Sequence, residues 1–225
     1  MKKTVLFGSV LVIGLAGIGT IYGAQKIHQS MLVKKQESIR NSQLAFDRQH
    51  AKEIVLYLNS FDASTKTLSN QIDIVANASG SIVNDPMLMG GNHLPPQFTS
   101  DLSVFDSYVS QLSKQVSRSD SSISAEQSKL MNLEFYNAPL ESDLTNLNND
   151  LTKFISYQNG IVAAGKDVSS HYHQGLSDVI HGYWILKGSM IPMGNAEQDW
   201  QYNLNGMEQT VQDIQVLQHD FQSFK

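Results

Sequence analysis

The chain has no cysteine, so a disulfide framework, a thiolate metal site and an acylated lipoprotein start are all excluded. Proline is sparse and clustered, at 86, 95, 96, 139 and 192. Glycine is missing from Ala24 to Ser79 and again from Asn92 to Asn159, which leaves two long tracts without the strongest helix breakers. The chain also contains no H-E-x-x-H, no G-x-S-x-G and no phosphate-cradling glycine loop. Carboxylates such as Glu141, Asp143 and Asp150 fall largely off the apolar stripes, where a solvated face explains them better than acid–base chemistry. These absences point away from an enzyme and give no reason to expect a cofactor.

Charge is divided unevenly. Residues 1–35 hold five lysines and no acid, whereas the remainder carries 11 basic against 21 acidic residues, a net of −10. An acidic body is repelled by phosphate backbones, so nucleic acid is not an expected partner.

A single apolar run is long enough to cross a bilayer. Lys2 and Lys3 precede Thr4 to Ala24, 21 uncharged residues. At about 1.5 Å per residue, such a segment spans a hydrocarbon core of roughly 30 Å. It exceeds the length of an ordinary signal-peptide core, and no A-x-A site follows it. We therefore expect a transmembrane signal-anchor over residues 1–24, the alternative being a cleaved signal peptide and a secreted body. Gly19 and Gly23 form a G-x-x-x-G, a spacing that allows two membrane helices to approach closely and a homodimer to form. Lysines on both sides of the segment leave orientation undecided by charge. The export-like start and the Ser-, Asn- and Gln-rich body favour an extracytoplasmic placement in the cell envelope.

Beyond the anchor, apolar residues recur in alternating steps of four and three, the spacing of a stripe that faces a partner helix. Ile54, Leu58, Phe61, Thr65, Leu68, Ile72 and Val75 form the first stripe. Leu102, Phe105, Val109, Leu112 and Val116 form the second, fading through Ile123 to Leu130 and Leu133. Leu140, Leu144, Leu147, Leu151, Phe154, Gln158 and Ile161 form the third, just past Pro139, and Trp200, Leu204, Met207, Val211, Ile214, Gln218 and Phe221 the fourth. Helices with one apolar stripe each become stable by burying the stripes together. The predicted fold is all-α: an N-terminal transmembrane helix, a helical stalk over residues 25–40, and an elongated, coiled-coil-like antiparallel four-helix bundle over residues 41–225. Thr65, Gln158 and Gln218 interrupt the stripes, either fixing register through hydrogen-bonded partners or lying near a wet bundle end; the second is preferred.

Helix lengths carry further expectations. The second helix is predicted over Ser100 to Asn137, with the first running from about Asn41 to Ala78 beside it. Glycines at 160, 165, 175, 182, 188 and 194 predict a kinked or broken helix between the third and fourth stripes. Loops 79–100 and 160–195 would then meet at the membrane-distal tip.

Partner-binding residues are expected there. Met87, Met89, His93, Met190 and Met193 converge on the tip in this topology, either as ordinary end packing or as ligands for a soft metal. Packing is preferred, so no metal ligand is assigned. Tyr183 and Trp184 head the densest aromatic patch, a binding anchor if exposed and core if not. His171 and His173 sit two apart and would point to different sides of a helix. The expected function is that of a non-enzymatic, membrane-anchored interaction or scaffold module with an envelope protein as partner. The alternative is a ligand- or soft-metal-binding sensor-like module, similar in bundle architecture to bacterial receptor ectodomains.

Overall fold

A computed structural model describes residues 21–83, 97–180 and 190–224, with side chains over 29–82, 97–177 and 194–224. The described residues form four helices and no strand: α1 (Ile21–Val83), α2 (Phe98–Leu130), α3 (Ala138–Ile180) and α4 (Met190–Ser223). By contacts the chain divides into two units, Met1–Ala45 and Phe46–Lys225.

In the first unit the described residues belong to α1, and side chains 29–42 are exposed, Met31, Leu32, Val33 and Ile39 among them. Of the predicted anchor, Thr4 and all else before Ile21 lie outside the described residues, and only Ile21 to Ala24 fall on α1. No helix of the described residues is long and apolar enough to cross a membrane.

The second unit is a four-helix bundle whose directions follow from its contacts. Gln218 Nε2 donates to Asn59 Oδ1 at 2.9 Å and Gln215 Nε2 to Asp62 Oδ1 at 3.4 Å, so α4 runs back along α1. Gln127 Nε2 donates to the Asn148 carbonyl at 2.9 Å, while His173 Nε2 meets Asp106 Oδ2 at 2.7 Å, which makes α2 and α3 antiparallel. Phe61 stacks edge-on against Phe154 at 4.9 Å between centroids, and the Ser79 and Tyr172 hydroxyls bond at 3.0 Å. Both pairs are separated by 93 residues, so α1 and α3 run parallel across the diagonal, as an up-down-up-down bundle requires.

The predicted stripes form the core. Ile54, Leu58, Phe61, Leu68, Ile72 and Val75 from α1 are buried, as are Leu102 through Val116 at their heptad positions in α2 and Leu140 through Ile161 in α3. On α4 the buried line differs: Met207, Thr210, Ile214, Leu217 and Phe221 are inside, whereas Trp200, Leu204, Val211 and Gln218 are only half-buried. The polar stripe members are not at a wet end. Gln158 is fully buried and its amide donates to Asp120 Oδ1 on α2, Thr65 bonds the Phe61 carbonyl of its own helix at 2.9 Å, and Gln218 reaches Asn59.

Two boundaries depart from expectation. First, α2 ends at Leu130 rather than Asn137: Met131, Asn132 and Leu133 still donate to carbonyls of Gln127, Lys129 and Leu130 in a tightened last turn, and the N–H groups of Phe135 to Asn137 find partners elsewhere. Both oxygens of Asp47, only 2 % exposed, accept backbone N–H groups, from Tyr136 at 2.8 Å and Asn137 at 3.0 Å. Glu141 accepts from Phe135 N at 2.8 Å, and Asn137 Oδ1 caps α3 by accepting from Leu140 N at 3.2 Å. The turn is thus held by carboxylates from two helices. Glu141 is therefore no idle surface acid, nor is Asp150, which is buried and paired with Lys153 at 2.8 Å.

Second, α3 does not break at Gly160. It continues through Gly160, Gly165 and Gly175 to Ile180, with 181–189 outside the described residues. Gly160 and Gly165, like Gly206 of α4, serve close approach rather than interruption: a Cβ on Gly160 would collide with the Asn203 side chain, one on Gly206 with the Tyr157 ring, and one on Gly165 would lie 3.0 Å from the Trp200 ring. Side chains of each helix thus occupy the space a glycine leaves on the other. The propensity cost of a helical glycine, about 1 kcal/mol, is offset by the packing this permits.

Candidate functional site

The two ends of the bundle are built differently. At the α2–α3 turn, Asp47 and Glu141 satisfy the backbone while Phe46, His50, Phe135, Tyr136 and Phe221 pack ring against ring, with centroid separations from 4.1 to 5.9 Å. His50 Nδ1 also meets the Glu134 carbonyl at 3.1 Å. This end is filled.

Toward the other end lies a cavity of about 350 Å³ among all four helices. Small residues cause it. Ala76, Ser79 and Gly80 of α1 face Gly165 of α3, and none of their side chains reaches across the gap. The α4 wall is Glu197, Trp200, Gln201 and Leu204, and Val75, Phe105 and Val168 complete the apolar lining. Trp200 is half-buried, its ring edge resting on Gly165, so the indole forms a wall of the cavity instead of filling it. Behind the cavity, Tyr172 is buried with its ring edge-on to Phe105 at 5.7 Å. Burial chiefly pushes the Tyr172 hydroxyl pKa above its ordinary value; the Ser79 hydrogen bond opposes this and the Glu197 charge adds to it. Among the described residues, Glu197 is the one charged member of the lining.

A second hollow is an open groove on the surface of α1 and α4, bordered by Arg48, Lys52, Val55, Leu56, Phe221 and Phe224. Its floor is apolar, but half of its wall is solvent-facing helix surface.

The residues expected to bind partners are only partly placed. Met87, Met89, His93, Tyr183 and Trp184 lie outside the described residues, and Met190 and Met193 fall in the first turn of α4, with side chains also outside. His171 and His173 lie on α3 and engage different aspartates, Asp167 at 3.6 Å and Asp106 at 2.7 Å, as their spacing requires. Among the described residues no group of three or more His, Cys, Asp or Glu side chains is close enough to hold a metal ion. Sequence reasoning missed the cavity residues. Trp200 read as core and Gly165 as a breaker, although the run of small residues Ala76, Ala78, Ser79 and Gly80 was a visible sign of a thin helix face.

The described fold thus defines a four-helix bundle with a cavity near one end. Compared with protein-family models, with curated proteins and with solved structures, the chain matches none significantly.

Proposed function

We propose that this chain is a non-enzymatic binding module, anchored in a membrane through Thr4 to Ala24 with its bundle on the extracytoplasmic side. It engages its partner through the end of the bundle that carries the cavity. One observation carries the reading: away from the α2–α3 turn, all four helices leave a cavity of about 350 Å³ between them, walled by a half-exposed tryptophan. A core under selection for stability alone tends to close such a space, since unfilled volume forfeits dispersion contacts. The cavity also lies at the lower end of the roughly 300–1,000 Å³ common for ligand pockets.

The placement is supported by the sequence alone, from the length and charge of Thr4 to Ala24. A phosphatase reporter fused after Lys225 tests it in whole cells. An active, membrane-bound reporter is the expected result. An active reporter released from the membrane would make the body secreted, and an inactive reporter beside a protease-protected chain would overturn the extracytoplasmic placement.

The cavity favours a second, narrower version in which the partner is a small molecule entering between helices, as in a sensor-like module. The scaffold version instead needs only the outer surface of that end. Filling the hollow separates them: Ala76→Leu, at an exposed position on its rim, should abolish small-molecule binding while leaving a surface-bound protein partner nearly unaffected.

A further inference from the structure

Resting on the reading of the cavity as a ligand site, we infer that its ligand is a small organic cation: an ammonium group on an apolar, ring-sized body. Size sets the body. An apolar cavity of about 150 Å³ takes one benzene ring, so one of about 350 Å³ takes a ring with a short side chain or two fused rings. Chemistry sets the head. Val75, Phe105, Val168 and Leu204 offer no hydrogen bonds, while the polar part of the wall includes Ser79, Glu197 and Gln201, the last two one turn apart on α4.

The charge of that polar side is negative. Glu197 is the only ionic group among the described residues of the lining, and it is close enough to Tyr172 to raise the hydroxyl's pKa by its charge. Ser79 and Gly80 lie close to the C-terminal, dipole-negative end of α1, whose last turn carries no basic side chain. The positive ends of α2 and α4 are more distant in sequence: the lining begins at Phe105 in α2 and at Glu197 in α4, seven residues past each helix start, and Asp101 already sits in the first turn of α2. A helix-end charge acts mainly within one turn, so the carbonyl end dominates. Trp200 adds an indole to the wall, the aromatic ring most attractive to a cation. An anion would meet Glu197 and the carbonyl end with no compensating base among the described lining residues. A neutral ligand of the same shape would gain the apolar walls but leave the carboxylate without an ionic partner.

Three probes that share a ring and a two-carbon spacer test this: 2-phenylethylammonium, 2-phenylethanol and 3-phenylpropanoate. Each is titrated by calorimetry into the full chain in discs of zwitterionic lipid, with empty discs as the control for partition. The ammonium should bind at least about fivefold more tightly than the alcohol, a partly exposed carboxylate allowing no more than a modest preference, and the propanoate should be weakest. Glu197→Gln should erase the preference of cation over alcohol, and Glu197→Lys should reverse it in favour of the propanoate. Glu197 is exposed, so neither variant threatens the fold. If the alcohol equals the ammonium, and both are lost in Trp200→Ala, the cavity is a ligand site without charge selectivity; the inference falls and the reading beneath it stands. Ammonium binding that ignores both Glu197 variants would place the probe elsewhere and overturn the inference. Failure of all three probes to bind would overturn the inference and the small-ligand reading together.

Discussion

Removing the carboxylate of Asp47 should cost this fold more than removal of any other single polar side chain described here. The residue is 2 % exposed, and its two oxygens accept the N–H groups of Tyr136 and Asn137, 89 and 90 residues away. In Asp47→Ala both donors lose their partner inside a packed turn. Hydrogen bonds to a charged group contribute roughly 1.5–3 kcal/mol each, so the pair sums to about 3–6 kcal/mol before any relaxation that admits water. For a domain of this size, 1 kcal/mol moves Tm by roughly 2–4 °C, which gives a fall of about 6–24 °C. Asp47→Asn keeps one acceptor oxygen and presents an N–H group where the other stood. It should therefore lose about half as much or somewhat more. The assay is urea unfolding of the full chain followed by helical circular dichroism, with the alanine and asparagine variants measured beside the parent. An Asp47→Ala variant within about 1 kcal/mol of the parent would refute the reasoning, because it would mean that water satisfies the turn at no cost.

Other perturbations follow from the same contacts. Gly206→Ala adds a methyl group where the Tyr157 ring lies and should destabilise by about 1–3 kcal/mol despite alanine's better helix propensity. Gly194→Ala meets nothing within 4 Å and should stabilise by up to about 1 kcal/mol in the same unfolding assay. The Tyr57 hydroxyl is buried without a hydrogen-bond partner, and burial first, then the Glu126 charge, raises its pKa well above the ordinary value. Its folded-state pKa thus exceeds the unfolded value of about 10, so its contribution is fully present below that pH and is lost as pH rises above it. Tyr57→Phe should match or exceed the parent at pH 7 and lose less stability between about pH 10 and 11.5, which unfolding across that range would measure.

The bundle was legible in the sequence because helix and core are encoded by short-range periodicity. Ile54, Leu58, Phe61 and their counterparts in α2 and α3 recur at a spacing that only a helix can bury on one side, and each is inside. Long tracts without glycine or proline located α1 and α2 for the same local reason. What the pattern could not reveal was how a residue is used by a neighbour distant in the chain. Gly160 and Gly165 have the composition of a break and the role of a close contact, because Asn203 and Trp200 come to rest against them. Asp47 carries no local mark of its role as a clamp on a turn some 90 residues later. Glu141 and Asp150 looked like a solvated face, yet one holds the turn and the other is buried beside Lys153.

The sequence by itself determined that the chain is helical, that its helices must share one core, and that its only membrane-length apolar run is Thr4 to Ala24, since periodicity, breakers and run length are properties of contiguous residues. Only the tertiary structure decided where α2 stops, that α3 passes unbroken through its glycines, and that Ala76, Ser79, Gly80 and Gly165 face one another across a cavity walled by Trp200. A cavity is a shortage of volume shared among four helices, and no one of them encodes it alone.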